Sequence, residues 1–402
     1  MLTVLHNADL YAPRNLGRRT LVLGGGRVLW IGEGLPEVPA QLVQEELDLD
    51  GARVLPGLVD LHAHPTGGGG EAGPTTRVPA PGLSTYTRAG ITSLVGLLGT
   101  DSETRSMASL LASVRALRQA GLGAWCYTGG YHLPPCTLTG SLRGDIVHLE
   151  EVIGVGELAL SDFRSSQPTL DELLRVASEA QVGGMLTGKA GLLHLHMGDG
   201  PRGLELVRAA LETSELPARL FHPTHVNRRE ALLEEAFELT RQGCTIDLTA
   251  FPVGPDGEGL TADDALARYL DAGLAAERVS VSSDSGGCLP VFDQAGELTH
   301  MDVGSGAYLA QALQRLFQSG RSPEQFLPAF TSNPARLAKL PGRGVLQNGA
   351  MADLVVLGED ASIQSVMVQG RWHLRAGVVQ VQGPFETSSD PACRPSPENL
   401  PT

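Results

Sequence analysis

Lysine is almost missing from this chain: Lys189 and Lys339 are the only lysines among 30 basic residues, set against 45 acidic ones. The formal net charge is −15. That excess argues against a nucleic-acid backbone or an anionic membrane as the main partner, because both require clustered basic side chains. No stretch approaches the ~18 apolar residues needed to span a bilayer. The opening MLTVLHNADLYAPRNLGRR lacks the continuous apolar core of a secretory signal. Cysteine is scarce and unpatterned: Cys126, Cys136, Cys244, Cys288 and Cys393 are scattered, with no CxxC pair. An odd count without a framework suggests reduced thiols and a reducing compartment. The expectation is a cytoplasmic protein with no nucleic-acid and no membrane partner.

What is plentiful is glycine, 50 of 402 residues, about 12% where ~7% is usual. Such a content suits a chain with many tight turns. Hydrophobic residues make up 42% and charged residues 19%, enough to bury a sizeable core. The length accommodates one barrel of about 250 residues and a smaller module.

Residues 1–55 read as short strands, with TLVLGGGRVLWIG (20–32) as a hairpin around a glycine turn. Residues 342–382 have the same texture, in DLVVLG, SIQSVMVQG and AGVVQVQG. Two β-rich ends around a different middle suggest that the termini meet in one small β domain. The middle, 56–341, alternates. Strand-length apolar runs occur at 58–62, 91–99, 123–131, 152–160, 192–198, 220–226, 245–251 and 279–284. Helical patterns such as REALLEEAFELTRQG (229–243) lie between most of them. Eight such runs predict an α/β fold with a (β/α)8 TIM barrel. A doubly wound sheet is disfavoured, because no GxGxxG follows the first run. Residues 383–402 are proline-rich and are expected to form a disordered or loosely packed tail.

Barrel active sites gather at the C-terminal ends of the strands. Run one ends in His62-Ala63-His64, run four carries Glu157, and run five ends in His194-Leu195-His196. Run six holds His222 and His225, and run eight ends in Asp284. Residues i and i+2 of a strand share a face, so His62 and His64 can ligate one ion. His196 and His225 are preferred over His194 and His222 because they lie later, nearer the top of the barrel. His6, His132, His148, His300 and His373 default to structural or surface roles. Four imidazoles and two carboxylates exceed one tetrahedral site. They suit two divalent ions, zinc above all, sharing a carboxylate and a hydroxide. The glycine run 67–70 is not read as a phosphate loop, since no GK[ST] follows it.

The segments PGLVDLHAHP (56–65) and GVLQNGAMADLVVLG (344–358) resemble the amidohydrolase superfamily. GGGGEAGPTTR (67–77), VGLLGTD (95–101), GGYHLPPCTLTGS (129–141), SDFRS (161–165), HMGD (196–199), PTHVNR (223–228) and SSDSGG (282–287) narrow the likeness to the isoaspartyl dipeptidases within it. The resemblance implies a barrel with a small β-sandwich domain built from both chain ends, and hydrolysis of β-aspartyl dipeptides. It implies one ion on His62, His64 and Asp284 and a second on His196 and His225. It gives Asp284 the proton of the attacking water and Tyr131 the developing oxyanion. Glu71 would hold the substrate ammonium, Gly69 and Thr100 the β-aspartyl part, and Arg164 and Arg228 the carboxylates. A homo-oligomer is implied as well. Chemistry agrees that a substrate with one ammonium and two carboxylates calls for one acid and several donors.

Two positions depart from the family pattern. A carboxylated lysine is expected to bridge the metals, and Glu157 stands there, with one extra residue between Tyr131 and SDFRS. Lys189 precedes run five, at the wrong end of the barrel. Glu157 itself is therefore expected to bridge, provided the backbone moves inward. Cys288 replaces a serine that helps hold the substrate carboxylate, and a thiol is the weaker donor. Ser285 is a nearby substitute. The alternatives are another amidohydrolase, such as a cyclic amidase or an N-acyl amino acid deacylase, or a non-catalytic homologue.

Overall fold

A computed structural model of the chain describes residues 1–34, 36–253, 259–292 and 298–386, with side chains left aside at 290–300. Each of the eight apolar runs forms a strand: β1 (Leu58–Ala63), β2 (Ile91–Gly96), β3 (Gly123–Thr128), β4 (Val152–Leu160), β5 (Leu192–Met197), β6 (Phe221–Thr224), β7 (Ile246–Thr249) and β8 (Val279–Ser282). The first six make one parallel sheet in sequence order, and β7 pairs β8 in parallel. Side chains join β6 to β7: Asn227 Nδ2 donates to Thr249 O at 3.0 Å and Thr224 Oγ1 to Asp247 at 2.7 Å. Closure comes just past β8, where Asp284 N donates to His62 O at 3.0 Å and His64 N donates to Ser285 O at 2.8 Å. The result is the expected barrel.

Strand burial explains the apolar runs. Every residue of β1 is buried, as a strand covered on both faces must be. Val59 and Leu61 pack outward against Ala335, Leu337 and Leu340. Asp60 and His62 alternate with them and point to the barrel interior. The helix expected over 229–243 spans Glu230–Gln242 and stops at Gly243, whose φ is 109°. Thr169 and Glu172 form a capping box that starts the helix Leu170–Thr187. A strand pair absent from the sequence reading follows β8, Cys288–Phe292 against Leu298–Val303.

The two chain ends build a second sheet of nine strands. Leu2–Tyr11 is its centre: it pairs Asn15–Gly24 on one side, and on the other it pairs Val43–Asp48 and then Arg53–Pro56. Arg53–Pro56 in turn pairs Leu354–Leu357, which brings in the strands Ile363–Val368 and Arg371–Arg375. The change of partner along one strand forks the sheet around Leu5, Leu10, Leu21, Val54, Leu354 and Met367. Among the described residues no helix is long and apolar enough to cross a membrane. Of the expected tail, 387–402 lies outside the described residues, and Glu386 accepts a hydrogen bond from Ser84 N at 3.1 Å.

Candidate metal centre and substrate cavity

Six side chains meet at the C-terminal mouth of the barrel: His62 and His64 after β1, Glu157 on β4, His196 on β5, His225 after β6 and Asp284 after β8. All are at most 7% exposed. The ligand atoms of His62, His64 and Asp284 lie within 4.8 Å of one another, and so do those of His62, Glu157 and His225. Asp284 Oδ1 is 3.4 Å from His62 Nε2 and 3.1 Å from His64 Nε2. Glu157 lies between the groups. Its Oε1 is 3.7 Å from His64 Nε2, and its Oε2 is 3.5 Å from His62 Nε2, 3.2 Å from His196 Nδ1 and 3.6 Å from His225 Nε2.

A local device aims Glu157 inward. In the β4–β5 ladder Val155 pairs Leu193 and Leu158 pairs Leu195, so Gly156 and Glu157 together oppose the single residue His194. This bulge redirects a side chain. Gly156 has no Cβ for a reason: one would sit 2.8 Å from His194 Cβ. Backbone strain marks two other members. His225 and Asp284 have φ of 60° and 50°, left-handed values that side chains rarely take.

The fit to metal rests on orphaned atoms and protonation. His62 Nε2 and Asp284 Oδ1 are buried with no hydrogen-bond partner among the described residues. Unpartnered buried nitrogen and oxygen lone pairs facing one another are costly without a cation. Burial holds His196 down at about 3 and His225 well below its ordinary value, so the rings are neutral, as ligation requires. Burial, then the repelling Asp284 charge, drives Glu157 well above the usual carboxylate range. A cation would reverse that. Neutral imidazoles and two carboxylates suit zinc or a similar divalent ion.

Partners of the outward nitrogens fix which nitrogen faces inward. His196 Nε2 lies 3.0 Å from Asp162 Oδ2, and His225 Nδ1 lies 2.7 Å from Thr249 Oγ1. The sequence reading missed Asp162 and Thr249, although Asp162 stands inside the quoted SDFRS motif. Asp162 also binds Arg164 Nη2 at 2.7 Å and Nε at 3.0 Å. Burial raises the Asp162 carboxyl, but the hydrogen bonds from His196 and Arg164 and the Arg164 charge outweigh it and hold it well below the carboxylate range.

A cavity of about 290 Å³ opens above this cluster, lined among others by Gly69, Glu71, Thr100, Tyr131, Arg164, Arg228 and Cys288. The expected substrate residues are thus brought together. Thr100 Oγ1 donates to Glu71 Oε1 at 3.1 Å, and Arg164 Nη1 is 3.6 Å from the same oxygen. Arg228 Nε is 3.6 Å from Asp199 Oδ1 and makes no hydrogen bond among the described residues. Tyr131 is buried, with its hydroxyl 2.8 Å from His196 Nδ1. Burial first, and then the Glu157 charge, keep its phenol protonated and able to donate.

The loop carrying Gly69 and Glu71 has a clamp that sequence reasoning did not find. Arg105, 6% exposed, donates to Thr66 O, Gly68 O, Gly69 O and Val78 O, and to Asp101 Oδ2. Gly69 needs its freedom here: its φ is 73° and a Cβ would lie 2.5 Å from Thr76 O.

Several remaining candidates lie elsewhere. His222 is buried, bonded to Thr245 Oγ1 at 2.8 Å, and His194 lies below the metal cluster. His132 Nε2 meets Arg164 O at 2.8 Å and so steadies the cavity wall. Lys189 is remote, as expected: its Nζ donates to Ile146 O and Leu149 O, both at 2.6 Å, at a helix end where a cation is favourable. Ser285 is not among the cavity residues; it is fully buried behind them, its backbone occupied in closing the barrel. Cys288 keeps the cavity position alone. Burial, and then the nearby Glu71 charge, push its thiol up to about 12, so it is a neutral, weak donor.

Comparison with known proteins agrees with this geometry. Residues 53–373 match the model of the amidohydrolase family. A crystal structure of β-aspartyl dipeptidase from the thermophilic, keratin-degrading Fervidobacterium islandicum AW-1, in complex with the β-Asp-Leu dipeptide, is 39% identical, with a TM-score of 0.88 over 96% of this chain and 100% of that one. A second structure of that enzyme is 38% identical with a TM-score of 0.87, over 96% of this chain and 100% of that one. Dihydropyrimidinase from Brevibacillus agri NCHU1002 shares the fold, at 15% identity and a TM-score of 0.68 over 95% of this chain and 96% of that one. The chain belongs to the amidohydrolase family and is a metal-dependent hydrolase.

Proposed function

We propose that the protein is a dipeptidase that hydrolyses the isopeptide bond of β-aspartyl dipeptides at a binuclear centre. The observation that carries this reading is the charge pattern of the cavity. Glu71 and two arginines, Arg164 and Arg228, line a single space above the six candidate ligands, with Asp199 beside Arg228 and Asp302 also on the wall. A β-aspartyl dipeptide presents the matching set, one ammonium and two carboxylates. The 39% identical relative crystallised with β-Asp-Leu supports the same substrate class.

His62, His64 and Asp284 would hold one divalent ion, and His196 and His225 the other. Glu157 would bridge them, in keeping with its two oxygens facing different histidines. Two such ions, zinc by donor chemistry, supply a Lewis acid for the amide carbonyl and make water a nucleophile near neutral pH. The chain's own groups do the rest. Asp284 takes the proton of the attacking water and returns it to the leaving amine. Tyr131 donates to the oxygen on which negative charge grows. Glu71 binds the α-ammonium, Arg164 and Arg228 the carboxylates, and Gly69, Thr100 and Cys288 the β-aspartyl end. The reading includes a cytoplasmic, homo-oligomeric enzyme.

The test is turnover of β-Asp-Leu beside α-Asp-Leu by the zinc-loaded protein. Cleavage of the β-linked peptide alone is the expected result. Cleavage of neither, with two ions bound, would keep amidohydrolase chemistry and discard this substrate class.

A further inference from the structure

Every metal-facing histidine has two ring nitrogens, and only one can face the ion. What bonds the other nitrogen decides which it is. His196 uses a carboxylate and His225 a hydroxyl for this purpose. His62 uses another histidine. Its Nδ1 lies 2.9 Å from His194 Nε2, and both residues are fully buried. A carboxylate can only accept, but a neutral imidazole can either accept or donate. The direction of this one bond therefore matters. If His62 Nδ1–H donates, the lone pair of His62 Nε2 is free to face Asp284 Oδ1 at 3.4 Å and Glu157 Oε2 at 3.5 Å. In the reverse case Nε2 carries the proton and His62 cannot ligate.

Resting on the reading of His62 as a ligand, we propose that His194 is a positioning residue which sets the His62 tautomer: its Nε2 accepts the His62 Nδ1–H. Two features of the surroundings fix the His194 ring for that task. It stacks on Tyr127, with centroids 5.1 Å apart and planes 19° from parallel. Its backbone sits opposite the Gly156–Glu157 bulge, where the missing Cβ of Gly156 gives its own Cβ room. One displacement of β4 thus serves two ends: it turns Glu157 into the centre and seats the histidine that orients His62. The preference for His196 over His194 by height in the barrel separates their tasks. His196 faces the centre and His194 supports it from one step below.

The experiment compares zinc affinity, by competition with a chromogenic chelator, in the wild-type protein, His194→Phe and His194→Gln. Phe keeps a planar ring against Tyr127 and removes the acceptor. Gln restores an acceptor oxygen. One zinc is expected to bind ~10–100-fold more weakly in His194→Phe, with part of that loss recovered in His194→Gln. Affinities within threefold of wild type in both variants, or equal losses in both, would overturn the proposal, since packing alone predicts no rescue. If His194→Phe does not fold, the side-chain ¹⁵N–¹H spectrum of the wild-type protein decides. A His62 Nδ1–H resonance supports the assignment, and an Nε2–H resonance overturns it. A wild-type protein that takes up no zinc, or a His62→Ala variant that loses none, would instead count against the metal-centre reading itself.

Discussion

Asp162 Oδ2 lies 3.0 Å from His196 Nε2, and the same carboxylate grips Arg164 in a two-pronged ion pair. One buried acid therefore holds a candidate ligand with one hand and a candidate substrate arginine with the other. Asp162→Asn puts an N–H donor where an acceptor is needed. We expect zinc affinity to fall ~10–100-fold and KM for β-Asp-Leu to rise at least ~10-fold. Chelator competition and steady-state kinetics check both. Arg164→Ala separates the two effects, raising KM and leaving zinc uptake unchanged. Wild-type zinc affinity in Asp162→Asn would refute the tautomer argument for His196.

Glu157→Gln tests the bridge. An amide is neutral, so it does not offset two adjacent dications as a carboxylate does. The expected outcome is a drop from two zinc ions per chain to one, counted by elemental analysis after dialysis. A two-ion stoichiometry that survives the change would make Glu157 a bystander.

Arg105→Lys addresses the glycine loop. A lysine cannot reproduce the guanidinium fork that meets four carbonyls and Asp101. KM is expected to rise ~10-fold or more with kcat changed less than ~3-fold, because on the proposed reading the loop carries recognition groups and not the reacting ones. Stability should fall by about 1–3 kcal/mol as buried carbonyls lose donors. Zinc content serves as the control and should not move.

Asp247 gives a pH signature. It is fully buried and receives bonds from Ser280, Ser282 and Thr224. Burial, only partly offset by those hydroxyls, raises its carboxyl to about 7. A raised folded-state value means that the native protein binds the extra proton. The associated stability is complete below the unfolded value near 4 and is lost as pH rises to about 7. Asp247→Asn removes this titration. The stability of wild type relative to Asp247→Asn should therefore decline from pH 4 to 7, by on the order of 4 kcal/mol, and level off above. Urea denaturation at several pH values measures it, and a flat difference would contradict the assignment.

The barrel was readable because its strands are buried on both faces, which leaves uninterrupted apolar runs such as VIGVGELAL. The His62/His64 pair was readable because a strand repeats every two residues. The same period made His194 and His196 indistinguishable by face, so only height along β5 could separate them. Asp162 and Arg105 carry no periodic signal. Their partners lie 34 and up to 39 residues away, and only the folded chain shows them. Ser285 looked like a substitute for the missing serine because it is close in sequence. The turn that closes the barrel buries it instead. The strand pair after β8 went unread because a proline, Pro290, interrupts the short apolar run CLPVF and its partner LTHMDV mixes polar and apolar residues.

The terminal sheet has a consequence for how the protein is made. Val54 and Leu55 find their antiparallel partners in Val355 and Val356, which leave the ribosome about 300 residues later, some 15–60 s at usual synthesis rates. Throughout that interval the nascent Arg53–Pro56 edge is open and apolar, a template for pairing with other chains. Products broken off before Leu354 keep the barrel strands and that unsealed edge. They should collect in aggregates, so that truncated translation removes itself from the pool of working enzyme.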